Sequence, residues 1–145
     1  MTKMGQDKAS GGCYCGAVRY EFSIPAAGCI HCHCTLCRRL HGCGFTTWLS
    51  VLKCNFQIIQ GQDRLVLFSV SRHSSKFFCG KCGTSVYYTD ERYREVYGLL
   101  LGTVADAIEL NPRAHAFYDC KAEWIKVADD LPHLGGASGN DKLSE

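Results

Sequence analysis

No run of 18 apolar residues occurs in this 145-residue chain, so it offers no candidate transmembrane helix. Met1 to Ser10 are polar and lack the apolar stretch of a signal peptide, which leads us to expect a cytosolic protein. Charge of one sign is also missing: sixteen basic and fourteen acidic side chains give a formal +2. So small an excess gives no global electrostatic hold on nucleic acid. Two local basic groups, Arg38-Arg39 and Arg72 to Lys76, are too small to restore one and read as solvated surface. No stretch rich in Pro, Gly or Ser divides the middle of the chain, and no segment repeats at a fixed period. These absences predict one domain over residues 11–134, with a flexible arm at 1–10 and a disordered tail at 135–145.

Within that domain the hydrophobic period is two. Val18, Tyr20, Phe22 and Ile24 alternate with Arg19, Glu21 and Ser23, as a half-buried strand requires. Further strands are predicted over 45–51, 56–60, 64–70, 75–78, 85–89, 96–101 and 114–118, with Gly61-Gln62-Asp63 as a turn. One short helix is expected from Thr35 to His41, with Thr35 capping its start and Gly42 ending it. The fold class is therefore mainly β: a small antiparallel protein of short strands that need help to stand.

Cysteine supplies the help. Seven of the eleven cysteines fall into three clusters: Cys13-x-Cys15, Cys32-x-Cys34-x-x-Cys37 and Cys79-x-x-Cys82. In a reducing compartment such spacings serve metal or redox chemistry more often than disulfides. Thiolates are soft ligands, and tetrahedral sulfur cages suit Zn²⁺. A thioredoxin-type role for Cys79-x-x-Cys82 would need a βαβ context that the pattern lacks. Seven divides economically into four and three. The two separated pairs complete one Cys₄ site if their strands are neighbours, and the middle cluster leaves a fourth position free. That position is either open for chemistry or closed by Cys29, His31, His33, His41 or Cys43. Two Zn²⁺ and seven thiolates would move the formal charge to about −1. Cys29, Cys43, Cys54 and Cys120 otherwise read as inert core thiols. His73, His115 and His133 have no partner spacing and read as structural or exposed.

Taken in order, Gly11-Gly12-Cys13-x-Cys15-Gly16, Cys32-His33-Cys34-x-x-Cys37-Arg38 and Phe78-Cys79-x-x-Cys82-Gly83-Thr84 closely resemble the glutathione-dependent formaldehyde-activating enzyme family, which includes centromere protein V. Gly102-Thr103, Asp106, His115, Lys121-Ala122-x-Trp124 and Asp130-Leu131-Pro132 resemble its C-terminal part, so the likeness covers roughly residues 11–133. The resemblance implies a β-tent fold. It also implies a structural zinc on Cys13, Cys15, Cys79 and Cys82 and a catalytic zinc on Cys32, Cys34 and Cys37, two per chain. The activity it implies is addition of glutathione to formaldehyde, formally a carbon–sulfur lyase reaction (S-(hydroxymethyl)glutathione synthase). The partners are then a glutathione-like thiol and an aldehyde, with no nucleic acid and no membrane. Arg38, next to Cys37, could face a substrate carboxylate or a developing alkoxide. A related thiol or electrophile fits the same chemistry. The alternative class is a non-catalytic zinc module that binds a protein or RNA partner.

Overall fold

A computed structural model describes residues 7–143, built from twelve strands and one α-helix. In chain order the strands begin with β1 (Lys8–Gly12), β2 (Arg19–Ser23) and β3 (Gly28–Cys32), followed by helix α1 (Thr35–His41). Then come β4 (Thr46–Leu52), β5 (Phe56–Gln60), β6 (Leu65–Ser69), β7 (Ser74–Cys79), β8 (Ser85–Asp90) and β9 (Val96–Leu100). Three two-residue strands finish the chain: β10 (His115–Ala116), β11 (Leu134–Gly135) and β12 (Asp141–Lys142). No helix among the described residues is long and apolar enough to cross a membrane. The chain divides into two compact units, Met1–Ala27 with Leu49–Leu110 and Gly28–Trp48 with Asn111–Glu145.

In the first unit β2 lies between β1 and β5, antiparallel to both. The expected alternation is realised, with Val18, Tyr20 and Phe22 buried and Arg19 exposed. Strands β6 to β9 form an antiparallel meander, with Phe77 opposite Tyr87 and Tyr87 opposite Leu99. Phe56 joins the two layers, its ring 5.5 Å from Tyr20 and 5.2 Å from Tyr87. Leu49, Val51, Val86 and Leu99 complete this core. Burying each such side chain contributes about 1.5–3 kcal/mol.

In the second unit β10 pairs with β3 in parallel, placing His115 beside His31 and Ala116 beside Cys32. This pair departs from the all-antiparallel expectation. Two residues suffice for β10 because its neighbours extend the ladder: His31 N–H donates to Ala114 O and His33 N–H to Ala116 O. Helix α1 has the expected bounds and ends at Gly42 in the left-handed region (φ 62°). Its cap is not Thr35. Cys34 is the N-cap, and its sulfur accepts from the Cys37 N–H at 3.1 Å.

Order extends past the expected domain limits at both ends. Residues 8–10 lie in β1, held by a full antiparallel register to β2, and β11 pairs with β12 over residues 134–142. Residues 1–6 of the expected arm and 144–145 of the expected tail lie outside the described residues.

Candidate metal centres and active site

In the first unit the turn after β1 carries Cys13 and Cys15, and the turn from β7 to β8 carries Cys79 and Cys82. The four sulfurs lie within 4.8 Å of one another. Cys13 Sγ is 3.6 Å from Cys15 Sγ, and Cys15 Sγ is 3.8 Å from Cys79 Sγ. All eleven cysteines are free thiols. A disulfide would need about 2.05 Å, whereas the edge of a tetrahedron with 2.3 Å metal–sulfur bonds is about 3.8 Å. The spacing is that of ligands around an ion. Each turn bends behind its second cysteine through a glycine with positive φ, Gly16 at 82° and Gly83 at 83°, a conformation that glycine adopts without strain. Backbone N–H groups aim at the sulfurs: Val18 donates to Cys13 Sγ at 3.2 Å and Lys81 to Cys79 Sγ at 3.4 Å. Hydrogen bonds led by the Thr84 hydroxyl lower the Cys82 thiol to about 5. These are the features of a site built for thiolates.

The middle cluster assembles in the second unit. Cys32 ends β3, Cys34 caps α1, and Cys37 lies one turn into it. Their sulfurs again lie within 4.8 Å of one another, with Cys32 and Cys37 3.6 Å apart. Hydrogen bonds from the Cys32 and then the Cys37 thiol hold Cys34 down to about 3, while the Cys32 thiol is pushed up because it donates to Cys34. Without a cation the hydrogen bonds within the cluster thus favour negative charge among its three sulfurs. A dication would displace the remaining protons, so the donor set fits a soft divalent metal. A fourth ligand on a tetrahedral ion would sit within about 4 Å of all three sulfurs. Among the described residues no other Cys, His, Asp or Glu joins the triad within 4.8 Å. Cys29, His31, His33, His41 and Cys43 therefore stand outside it.

A third convergence was not legible from spacing. His31, His115 and Asp129 also bring ligand-type atoms within 4.8 Å. Their orientation is that of a hydrogen-bonded network. His115 Nε2 donates to the Asp129 carboxylate at 2.9 Å, and the His31 and His115 rings stack at 4.8 Å with 27° between their planes. A metal lies in the plane of each imidazole that binds it, and stacked planes do not meet at one point. His33 Nε2 meets His115 Nδ1 at 2.8 Å. Burial, then the neighbouring His115 and His31, hold His33 down to about 4, so its ring is neutral near pH 7. His115, read as structural or exposed from the sequence, is 1% exposed. The Asp130-Leu131-Pro132 segment returns beside it: His115 N–H donates to Pro132 O. Cys54 is exposed, and Cys43 and Cys120 are half-buried, so of the four leftover cysteines only Cys29 is fully buried.

Helix α1 also forms one wall of a cleft of about 380 Å³ lined by Thr35, Arg38, Arg39, Gly42, Cys43 and Trp124. Thr35 and Arg38 directly follow the ligand-type residues Cys34 and Cys37. Among the described residues Arg38 has no ion-pair partner: one terminal N–H donates to Cys120 O at 2.9 Å, and its buried Nε meets no acceptor among them. Trp124, 69% exposed, is held opposite by a turn in which the Lys121 ammonium donates to Ala122 O and Ile125 O. Gly44 lets that turn approach: a Cβ there would strike the Ile125 side chain.

A crystal structure of a Rhodobacter sphaeroides protein superposes with a TM-score of 0.58 at 24% identity, covering 68% of this chain and 90% of that one. That likeness is one of fold. A curated protein of Halomonas elongata, provisionally named a glutathione-dependent formaldehyde-activating enzyme, is 21% identical over 124 residues, or 81% of this chain and 79% of its own length. The model of the family described as glutathione-dependent formaldehyde-activating enzyme matches residues 8–120, a span that takes in all seven clustered cysteines in order. The chain belongs to the glutathione-dependent formaldehyde-activating enzyme family.

Proposed function

We propose that this chain is a zinc-dependent enzyme of carbon–sulfur lyase type, adding glutathione or a similar thiol to formaldehyde or a related small electrophile. The observation that carries the reading is the Cys32/Cys34/Cys37 triad, three converging sulfurs with no fourth protein ligand among the described residues. In this reading Cys13, Cys15, Cys79 and Cys82 hold a structural zinc, and the triad holds a catalytic one. Zinc held by Cys32, Cys34 and Cys37 would supply a Lewis acid that lowers the pKa of an incoming thiol from about 8.5.

The chain's own residues do the rest. Cys34 is fixed as a thiolate by its neighbours and by the Cys37 N–H. The cleft beside α1 receives the body of the thiol substrate. Arg38 and Arg39 offer positive charge to its carboxylates, and Trp124 covers an apolar stretch of it. Orientation of the two reactants in such a cleft accelerates addition by making it effectively unimolecular. The reaction balances without a redox partner: sulfur bonds to the carbonyl carbon, and the thiol proton ends on the carbonyl oxygen.

The test is the rate of S-hydroxymethylglutathione formation with zinc-loaded protein, measured against the spontaneous rate in the same buffer. Acceleration that disappears in Cys34→Ser supports the reading. A loaded triad that accelerates neither glutathione nor any small thiol would favour a non-catalytic zinc module.

A further inference from the structure

Buried polar groups are costly unless each finds a partner, and the second unit buries two imidazoles beside the triad. His33 and His115 are 0% and 1% exposed. They are joined to each other at 2.8 Å and onward to Asp129, whose two oxygens lie 2.9 and 3.1 Å from His115 Nε2. An ionised carboxylate only accepts hydrogen bonds, so it places the His115 proton on Nε2. His115 Nδ1 is then the acceptor, and His33 donates to it from Nε2. The lone pair of His33 is left on Nδ1, which is buried and has no partner among the described residues. An unpartnered acceptor is tolerated better than an unpartnered N–H, so the polarity of the chain agrees with its one loose end.

The chain of hydrogen bonds ends on the residue between two ligand cysteines. Neighbours in an extended segment project to opposite sides. β3 runs up to Cys32, and Cys34 keeps an extended backbone at φ −60°, ψ 147°. Cys32 and Cys34 can therefore project together while the His33 ring turns the other way. That ring is held by His115 and flanked by Phe45 at 4.9 Å and Tyr118 at 5.6 Å. The His33 N–H is fixed by Ala116 O at 2.9 Å. Holding both the ring and the backbone of the middle residue fixes the two sulfurs on either side of it.

We propose that Asp129, His115 and His33 form the positioning network of the Cys32/Cys34/Cys37 centre, setting the Cys-His-Cys segment from a carboxylate at the surface. The inference rests on the reading of that triad as a metal centre. Loss of groups that orient ligands lowers metal affinity by about 10–100-fold, and the same order is expected here because both flanking ligands share one anchored residue.

The experiment loads the full chain with Co²⁺, whose sulfur-to-metal absorption reports thiolate ligation, and measures each dissociation constant by chelator competition. Wild type, Asp129→Ala and Asp129→Asn are compared, with the Cys79 cluster as internal reference. The Asp129 side chain is 43% exposed, so its truncation leaves the core filled. Asp129→Ala is expected to weaken the triad's metal about 10–100-fold and to shift its absorption, with the Cys79 cluster unchanged. Asp129→Asn keeps an oxygen that accepts from His115 Nε2 and should recover most of the loss. A merely structural role would lower the melting temperature without moving the triad's spectrum. Wild-type affinity and spectrum in Asp129→Ala overturn the network, as does an Asn variant no better than Ala. A wild-type chain that binds one metal, at the Cys79 cluster alone, overturns instead the reading of the triad as a metal centre.

Discussion

Removing one sulfur from each cluster should separate the two centres by what they do for stability. Cys79 is 0% exposed, at the end of β7, and its sulfur meets that of Cys15 across 64 residues of chain. An ion holding both closes that long loop. In the chain-entropy treatment of a cross-link, closing about 65 residues restricts the unfolded state by about 4 kcal/mol, a large share of the 5–15 kcal/mol stability usual for a domain. Cys32 and Cys37 are only 5 residues apart, and the same treatment gives about 2 kcal/mol. The difference of about 2 kcal/mol corresponds to roughly 4–8 °C in melting temperature at this chain length. Cys79→Ser should therefore melt lower than Cys37→Ser by at least that margin, or fail to fold, while Cys37→Ser stays soluble with the other metal in place. The measurement is circular-dichroism melting of zinc-loaded proteins under reducing conditions, with metal content determined for each. Melting temperatures within about 2 °C of each other, or the reverse order, would refute the division into a structural and a catalytic centre.

Arg39→Ala should raise KM for glutathione about two- to fivefold, the effect of one partly exposed charge pair, and leave an uncharged thiol such as 2-mercaptoethanol unaffected; equal effects on both thiols would remove the cleft from substrate recognition. A pH dependence is expected at Asp90, whose carboxyl is held below its usual range first by the hydrogen bond from Arg92. A depressed folded-state pKa means stability that is present above about 3.9 and lost as pH falls through the folded value. Asp90→Ala should thus cost about 1 kcal/mol or less near pH 7, and variant and wild type should converge in acid; a constant gap in denaturation free energy down to pH 2 would contradict the ion pair.

Where one residue type dictates the outcome locally, the sequence was transparent. The alternation of Val18, Tyr20 and Phe22 with charged neighbours can be satisfied by one half-buried strand only, and Gly42 announced the end of α1. β1 escaped notice because Lys-Ala-Ser-Gly-Gly has no apolar period; it is a strand because β2 offers it a ladder. β3 was hidden in the same way, since Gly-Cys-Ile-His-Cys looks like a ligand loop and its partners in β10 are 84 residues away. The three cysteine clusters were legible because metal ligation leaves short, fixed spacings. The network of His33, His115 and Asp129 was not, because its members come from three separate segments and no local rule brings them together. Thr35 was the conventional choice for a cap, but a thiolate competes for the same N–H, and Cys34 stands where that competition is decided.

The double use of Cys34 ties chemistry to architecture. Its sulfur is at once a member of the triad and the acceptor that closes the first turn of α1. Seven residues make two turns, too few to persist by their own propensity, and those two turns carry both arginines of the cleft. A peroxide or other oxidant that reached Cys34 would therefore act on both at once, taking one sulfur from the triad and removing the acceptor that keeps α1, and with it one wall of the cleft, wound.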